Sequence, residues 1–380
     1  MQKVQLPRLY LDSASTTAIH PEVLDGYCRL LGTEYYNTDA LYDEATNLSR
    51  MMEKSRASIA EMLQVHPDEV LFTSGATESN NLAIKGVAFQ YPEKKHIITT
   101  QIEHSSVLNA VKQLEKDFGY EVTYLAANSE GVISIEELKH AVRQDTAIIS
   151  IMMVNNEIGS IQPINEIKEW IKKNTSAFFH VDAVQAIGKV DVDIRHIDLV
   201  SLSAHKIEGL KGSGVLIKKR HVKLSPLLNG GQQEYGIRGG TSNSLVNIFF
   251  AKTLRLALEN KEKYAKQIRE IRQYLNDELL KIDGIVLNSP INGVSHIVNF
   301  SCFAIPSEVM MNALNQKGIA VAAQSTCSSQ EKGSRVLRSI GLEDRASTCI
   351  RISFSHHITK EDVARFIENL KEICKTYGNL

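Results

Sequence analysis

The chain lacks the marks of most specialised architectures. Of its 380 residues only five are cysteines, eight are prolines and one is tryptophan. The cysteines (Cys28, Cys302, Cys327, Cys349 and Cys374) are odd in number, scattered, and form no Cys-x-x-Cys. That pattern argues against a disulfide framework or a structural zinc site and points to a reducing compartment. An excess of charge is missing too: 43 Lys plus Arg stand against 44 Asp plus Glu, so no global field draws the protein directly to nucleic acid or to an anionic membrane. No window approaches the ~18 uninterrupted apolar residues of a membrane span, and the start, Met1 to Pro7, holds no apolar signal core. What remains, with 43% hydrophobic and 23% charged residues, is ordinary globular composition. The expectation is a cytoplasmic protein of two or three packed domains, with neither an internal repeat nor a low-complexity linker.

Short apolar runs alternate with helical patterns, which predicts α/β architecture with a mostly parallel sheet. Val70–Thr73, His96–Thr100, Glu121–Leu125, 147–154, 177–181, Leu199–Ser203 and 214–217 read as buried strands. Ser134 with Glu137 has capping-box spacing, and Asn165 is placed to cap a helix through Ile167, Trp170 and Ile171. After Phe250 a long helical period (Tyr264, Ile268, Ile271, Leu275, Leu279) runs to Asp283-Gly284. Beyond it, strands near 293–301, 318–323 and 350–354 and a final helix capped by Thr359 describe a small α+β domain. The expected division is a large domain over residues 16–253 and a small one built from 1–15 with 254–380.

Chemistry is expected at the strand ends. Thr73-Ser-Gly-Ala-Thr-Glu78 follows a strand and opens a helix, so free backbone N–H groups and a positive dipole end would face an anion. It is no Walker loop, because no Gly-Lys-Ser/Thr follows. Ser203-Ala-His-Lys206 delivers a lysine straight after buried positions, where desolvation favours the neutral, nucleophilic amine. Asp182 ends another strand and needs a cationic partner, which a protonated pyridine nitrogen would supply. Asn155, Asn156 and Glu157 end a third, and Gln185 lies one turn past Asp182. Cys327, in the small polar segment Gln324–Gly333 near Lys332 and Arg335, suits a reactive thiolate. Cys28, Cys302 and Cys374 read as packing, and so does Cys349.

Leu11-Asp-Ser-Ala-Ser-Thr-Thr17, Thr73–Glu78, Glu103-His104, Val154-Asn-Asn-Glu157, His180-Val-Asp-Ala-Val-Gln185, Ser203–Lys206 and Arg238-Gly-Gly-Thr241 together resemble the cysteine desulfurases of the class V aminotransferase superfamily. The likeness runs from Tyr10 to the last helix and is greatest to the class I, housekeeping branch. It implies the fold type I of transferases dependent on pyridoxal 5'-phosphate, a large mixed, mostly parallel sheet domain with a smaller α+β domain. It also implies that cofactor bound covalently to Lys206. Asp182 would face the pyridine nitrogen, His104 would stack on the ring and shuttle protons, and Asn156 and Gln185 would bond the phenolic oxygen. Ala76, Thr77, Ser203 and His205 would hold the phosphate, and Thr241 would reach the phosphate of a partner subunit in a homodimer. Arg351 and Asn37 match substrate-carboxylate positions, and Cys327 matches the persulfide-forming cysteine. The implied reaction turns L-cysteine into L-alanine, with the sulfur leaving for an iron–sulfur scaffold or a tRNA-thiolation enzyme.

The chain departs from that pattern in places. Ile207-Glu-Gly-Leu-Lys-Gly212 replaces an aromatic or histidine followed by Gly-Pro-Lys-Gly, which brings the charge of Glu208 close to the cofactor. Asn37-Thr-Asp-Ala40 replaces an Asn-Pro-Ser-like loop, and Thr326 stands where alanine is common. Two other readings stay open at this level: a selenocysteine lyase or other class V aminotransferase, and a non-catalytic sulfur carrier that kept the fold.

Overall fold

A computed structural model describes residues 8–323 and 333–378. Its strands are β1 (Leu9–Tyr10), β2 (Val70–Thr73), β3 (His96–Thr100), β4 (Glu121–Leu125), β5 (Thr146–Met152), β6 (Phe178–Asp182), β7 (Leu199–Ser203), β8 (Gly214–Lys218), β9 (Ile285–Leu287), β10 (Ile297–Cys302), β11 (Ile319–Ala320) and β12 (Cys349–Ser353). The helices are α1 (Pro21–Leu31), α2 (Asp43–Leu63), α3 (Ala76–Gln90), α4 (Ser105–Phe118), α5 (Ile135–Ala141), α6 (Ile164–Asn174), α7 (Ser244–Glu259), α8 (Lys261–Leu279), α9 (Ser307–Gln316), α10 (Arg335–Ser339) and α11 (Lys360–Tyr377).

Seven strands form the main sheet in the order β2-β8-β7-β6-β5-β3-β4. Every pairing from β7 to β4 is parallel, and β8 runs against both of its neighbours. The alternating pleat divides each strand between two cores. Leu71, Ile97, Ile148, Leu199 and Leu216 face α3 and α4, whereas Phe72, Ile98, Ile149, Val200 and Leu202 face α2, α6 and α7. All seven residues of β5 are buried, as a strand covered on both faces requires. Polar side chains inside this sheet pair with each other. His180 lies between Ser150 (2.8 Å) and Ser201 (3.0 Å), and burial drives its pKa down to about 3, so it serves as a neutral bridge.

A third core gathers Leu9 and Leu11 with α8, α9, α11 and the antiparallel β9-β10-β12 sheet. β1 pairs in parallel with β11, and isolated bridges Asp12–Ser353 and Ala322–Arg351 join that pair to β12. The chain's N-terminal arm is thus stitched to residues more than 300 positions away. Two local expectations are corrected. The helix read as capped by Asn165 starts at Ile164 after Pro163, because a proline at the boundary presets φ and needs no N–H. The 318–323 strand shortens to Ile319–Ala320.

β2 is an edge strand whose Phe72 N–H donates to Glu234 Oε2 (2.9 Å). Glu234 also takes both arms of Arg56, at 2.8 and 2.9 Å, with the guanidinium lying 4.7 Å from the Phe72 ring centroid. Both side chains are almost fully buried. The pair ties α2 and the sheet edge to the loop that leads to Thr241. Glu234→Ala strips buried Arg56 of its bidentate partner and leaves it only the exposed Glu53 carboxylate (3.1 Å) and the Val70 carbonyl (2.6 Å), so it should destabilise the protein by about 3 kcal/mol, while Glu234→Gln should cost less. Thermal denaturation of the two variants checks this; equal melting temperatures would refute it.

Candidate active site

In an open parallel sheet the carboxyl ends of the strands border the ligand crevice, and Asn156, Asp182, Ser203 and Lys206 lie at or just past such ends. The first contributor is the turn between β2 and α3. Gly75 caps α3 without a side-chain bond at φ 149, a region closed to residues with a Cβ. A Cβ on Gly214, at the start of β8, would come within 2.5 Å of Gly75 Cα. This close backbone packing leaves the first-turn amides of half-buried Ala76 and exposed Thr77 for an anion. Glu78 sits in the same turn. Burial pushes its pKa up, but bonds from Arg238 (2.9 Å) and from Ser74 Oγ (2.6 Å) outweigh that and hold it below its ordinary value. Arg238 therefore neutralises the carboxylate that would otherwise repel an anion, and ties the Arg238–Thr241 motif to the cup. Thr241 itself is exposed on the single chain.

Asp182, at the end of β6, is 6% exposed. Its carboxylate accepts from Val184 N (3.0 Å) and Asn80 Nδ2 (2.8 Å), both neutral donors, which suits a site for a cationic ring nitrogen. Asn80 also donates to Ser106 Oγ (2.8 Å), and Ser106 Oγ lies 2.8 Å from His104 Nδ1. Since Ser106 N donates to the same Nδ1, that nitrogen is an acceptor, and the proton of neutral His104 is assigned to Nε2. Asp182, Asn80, Ser106 and His104 are thus one hydrogen-bonded chain. Sequence reasoning assigned no role to Asn80 or Ser106; the only available signal was their position close to the start of helices that begin at named motifs.

Beyond β7 a short turn carries Ala204–Lys206. Ser203 Oγ is buried with no hydrogen-bond partner among the described residues. His205 contacts Thr16 Oγ1 (3.2 Å), and burial, reinforced by Lys206, lowers its pKa to about 4. Lys206 Nζ donates to the carbonyls of Ala14 (2.6 Å) and Ser15 (2.7 Å). Gln185 Nε2 shares the Ala14 carbonyl at 2.9 Å, and its Oε1 accepts from Lys189 Nζ at 3.0 Å. Half-buried Lys189 is lowered to about 7 by burial and then by the Lys206 charge, and no motif announced it.

Arg351, on β12, is 1% exposed. It donates to Asp12 Oδ1 (2.7 Å), Ser15 Oγ (2.7 Å) and the Asn156 carbonyl (2.9 Å). Asn156 is buried. Lys206 and Arg351 therefore meet at Ser15 although they come from different cores. Asn37 lies in an exposed turn, where its Oδ1 accepts the Asp39 N–H at 3.0 Å. Cys327 falls outside the described residues. The segment bearing it re-enters at α10, whose Arg335 donates to the carbonyls of Gln101 and Glu103, next to His104. Cys349 is buried and pushed up to about 12, mainly by desolvation, as a packing thiol should be. Cys28, expected to be packed, is exposed on α1: on that helix the buried side is carried by Val23.

A lysine amine at a strand end, a buried acid facing the same crevice and a phosphate-sized helix terminus define a class of group-transfer enzymes. The chain belongs to the Aminotransferase class-V family, which it matches over residues 9–366, in the cysteine desulfurase branch. It is 39% identical over 378 residues to "Cysteine desulfurase IscS" of Methanosarcina thermophila, covering 98% of this chain and 93% of that one. A solved "NIFS-LIKE PROTEIN" superposes with a TM-score of 0.91 at 34% identity, over 97% of this chain and 100% of its own. "SspA in complex with cysteine" does so with a TM-score of 0.80 at 33% identity, over 92% and 100%. The fold class and the enzyme class expected from the sequence are both borne out.

Glu103 gives a test of the site's electrostatics. It is fully buried, with Oε1 accepting from Met152 N (2.8 Å) and Thr100 (2.9 Å), and desolvation raises its pKa to about 8. A carboxyl that stays protonated when folded but ionises near 4.3 when unfolded lends stability below that lower value. The contribution drains away as pH rises towards 8, by at most about 1.4 kcal/mol per pH unit. Glu103→Gln cannot ionise, so its melting temperature should gain on the parent's steadily between pH 5 and 8. A constant gap across that range would show that Glu103 ionises normally.

Proposed function

We propose that this desulfurase works with pyridoxal 5'-phosphate, converting L-cysteine to L-alanine while sulfur leaves as a persulfide on Cys327. The observation that carries this is the meeting of Lys206 and Arg351 on Ser15, each at 2.7 Å. An α-amino acid needs one partner for its nitrogen and one for its carboxylate, a single carbon apart, and these two cations are so placed. The residues fit the cofactor: orphaned Ser203 Oγ, the α3 amides of Ala76 and Thr77 and neutral His205 suit its phosphate. Asp182 suits its ring nitrogen, His104 its ring face, and Asn156 and Gln185 its phenolic oxygen. Once bound, the cofactor supplies an electron sink beside the substrate's nitrogen.

The other roles fall to side chains. Arg351 exchanges Asp12 for the substrate carboxylate, a task suited to its planar fork, and Asn37 closes over the same group. The Lys206 amine takes the α-proton and returns a proton to the adjacent carbon. His104, held by Ser106 with its proton on Nε2, shuttles a second proton. The Cys327 thiolate attacks the substrate sulfur: an S–S bond forms, the C–S bond breaks, and its electron pair ends as the C–H bond of alanine. The persulfide then passes to an acceptor protein of iron–sulfur assembly or tRNA thiolation.

The division of labour is by segment, with residues 16–253 binding the cofactor and residues 1–15 with 254–380 carrying Arg351 and the Cys327 loop, although Val336, Leu337 and Cys349 of the second segment pack in the core of the large sheet. A homodimer is supported by exposed Thr241 and by Leu41, 96% exposed on a single chain, a position that suits a partner subunit. No helix among the described residues is long and apolar enough to cross a membrane. Free thiols suit the cytoplasm, where Cys302 and Cys374 lie 3.9 Å apart and would stay reduced.

With purified protein, cofactor and L-cysteine, alanine should form and persulfide should map to Cys327. Lys206→Ala should lose both the cofactor's visible absorbance and alanine formation, whereas Cys327→Ser should keep the absorbance and lose the alanine. Undiminished alanine from Cys327→Ser would end the persulfide route, and amino-group transfer to a 2-oxo acid would favour an aminotransferase. Arg351→Lys should raise KM for cysteine about tenfold or more, the cost of a charged hydrogen bond, with a smaller effect on kcat.

A further inference from the structure

Glu208 takes no part in the chemistry above, yet the fold holds it under constraint. It sits two residues past Lys206 with φ 66, left-handed backbone that a residue with a side chain rarely adopts. Its N–H donates to Thr17 Oγ1 and its carbonyl accepts from His20 N, both at 2.8 Å. Pinned on both sides, its carboxylate points across to the segment after β12, where Oε1 lies 3.0 Å from His356 Nδ1. The His356 ring is itself fixed, stacked on Tyr264 at 3.8 Å with an interplanar angle of 1°. His357 follows immediately, and one ligand atom from each of Glu208, His356 and His357 lies within 4.8 Å of the other two.

We propose that Glu208, His356 and His357 bind a divalent first-row transition ion of the zinc type, with water completing the shell. The donor set of two imidazoles and one carboxylate is the kind such ions take. Ligands about 2.0–2.1 Å from a common ion at tetrahedral to octahedral angles stand roughly 3–3.4 Å apart, and the Glu208–His356 contact already has that spacing. An ion can therefore replace the proton between them with little movement, and His357, exposed on its outer side, closes in by side-chain rotation. Water reaches the cluster from two sides. A cavity of about 410 Å³ is lined by Lys206, Glu208, Tyr264 and His356, and another of about 280 Å³ by Glu208 and His357. Glu208 belongs to the segment carrying Lys206, and the histidines lie five and six residues past Arg351. A bound ion would thus link the segments that carry both site cations, which makes metal a brake on their relative movement.

The test uses the Cys327→Ser holoenzyme, so that the loop thiol does not compete, and ZnCl2 as the probe. Equilibrium dialysis should find one zinc per chain, and Glu208→Gln or His357→Ala in that background should weaken binding at least tenfold. Less than half an ion per chain, or equal binding by the variants, would reduce the cluster to an ordinary His–Glu ion pair and overturn the proposal. X-ray absorption at the zinc edge, which needs no further substitution, should show imidazole scattering and no sulfur. A sulfur shell would place the ion on a cysteine and overturn the proposal equally.

Discussion

The structure depends on four residues of irregular chain, Asp12 to Ser15. Their carbonyls receive Lys206 and Gln185, and the Asp12 carboxylate and Ser15 hydroxyl receive Arg351. The same stretch is held to the small core by the Ser353 hydroxyl, which accepts Ala14 N–H at 2.8 Å, and by the Asp12–Ser353 bridge. The two cores are thereby registered against each other beside Lys206 and Arg351, in addition to the Asn299–Glu157 and Val294–Gly159 bonds that join them elsewhere. A buried guanidinium is tolerable only when several acceptors converge on it, and this segment supplies them. The cost of ordering irregular backbone is offset because Asp12, Ala14 and Ser15 each bond both within the fold and to Lys206, Gln185 or Arg351.

Electrostatic order in the crevice comes from the direct ion pairs Glu78–Arg238 and Asp12–Arg351 and from neutral intermediaries around Asp182. The Asp182 carboxylate accepts from amide donors, with Asn80 linking it on to Ser106 and His104. Glu78 is neutralised by Arg238 at the mouth of the anion cup, and Glu103 is kept protonated by burial. The outcome is a buried carboxylate at Asp182, a positive helix terminus at Ala76 and Thr77, and the Lys206 and Arg351 side chains gathered at Ser15. Such a gradient suits a ligand that is cationic at one end and anionic at the other.

The strand ends were legible because buried parallel strands are apolar runs, and a polar residue straight after such a run can only lie at the crevice. Asp182, Lys206 and Asn156 announce themselves in that way. Asn80 and Ser106 do not, since a polar residue near the start of a helix looks the same whether it faces solvent or a neighbour's polar group; only the packing of α3 on α4 tells them apart. The helix start at Pro163 in place of Asn165 and the exposure of Cys28 are failures of the same kind. Both Asn165 and Cys28 sit on amphipathic helices where one residue's shift in phase reverses the reading. The role of Asp12–Ser15 was out of reach for another reason. Its motif could be quoted, but its partners lie about 170 to 340 residues away, and separations of that length are set by topology rather than by local pattern.

Glu208 shows how a departure in sequence acquires physical meaning. Adding a carboxylate beside a cation-rich crevice would by itself weaken the positive field, yet its left-handed backbone turns the side chain towards His356 and Tyr264. The charge is thus directed to the junction of the two cores. A contact between the segment that carries Lys206 and the one that carries Arg351 bears on how those two side chains are oriented across the crevice, and orientation of paired groups is worth several kcal/mol of barrier in a reaction. The contact of Glu208 with His356 therefore adds a further tie, beside those at Ser15 and Asp12, between the segments that carry Lys206 and Arg351.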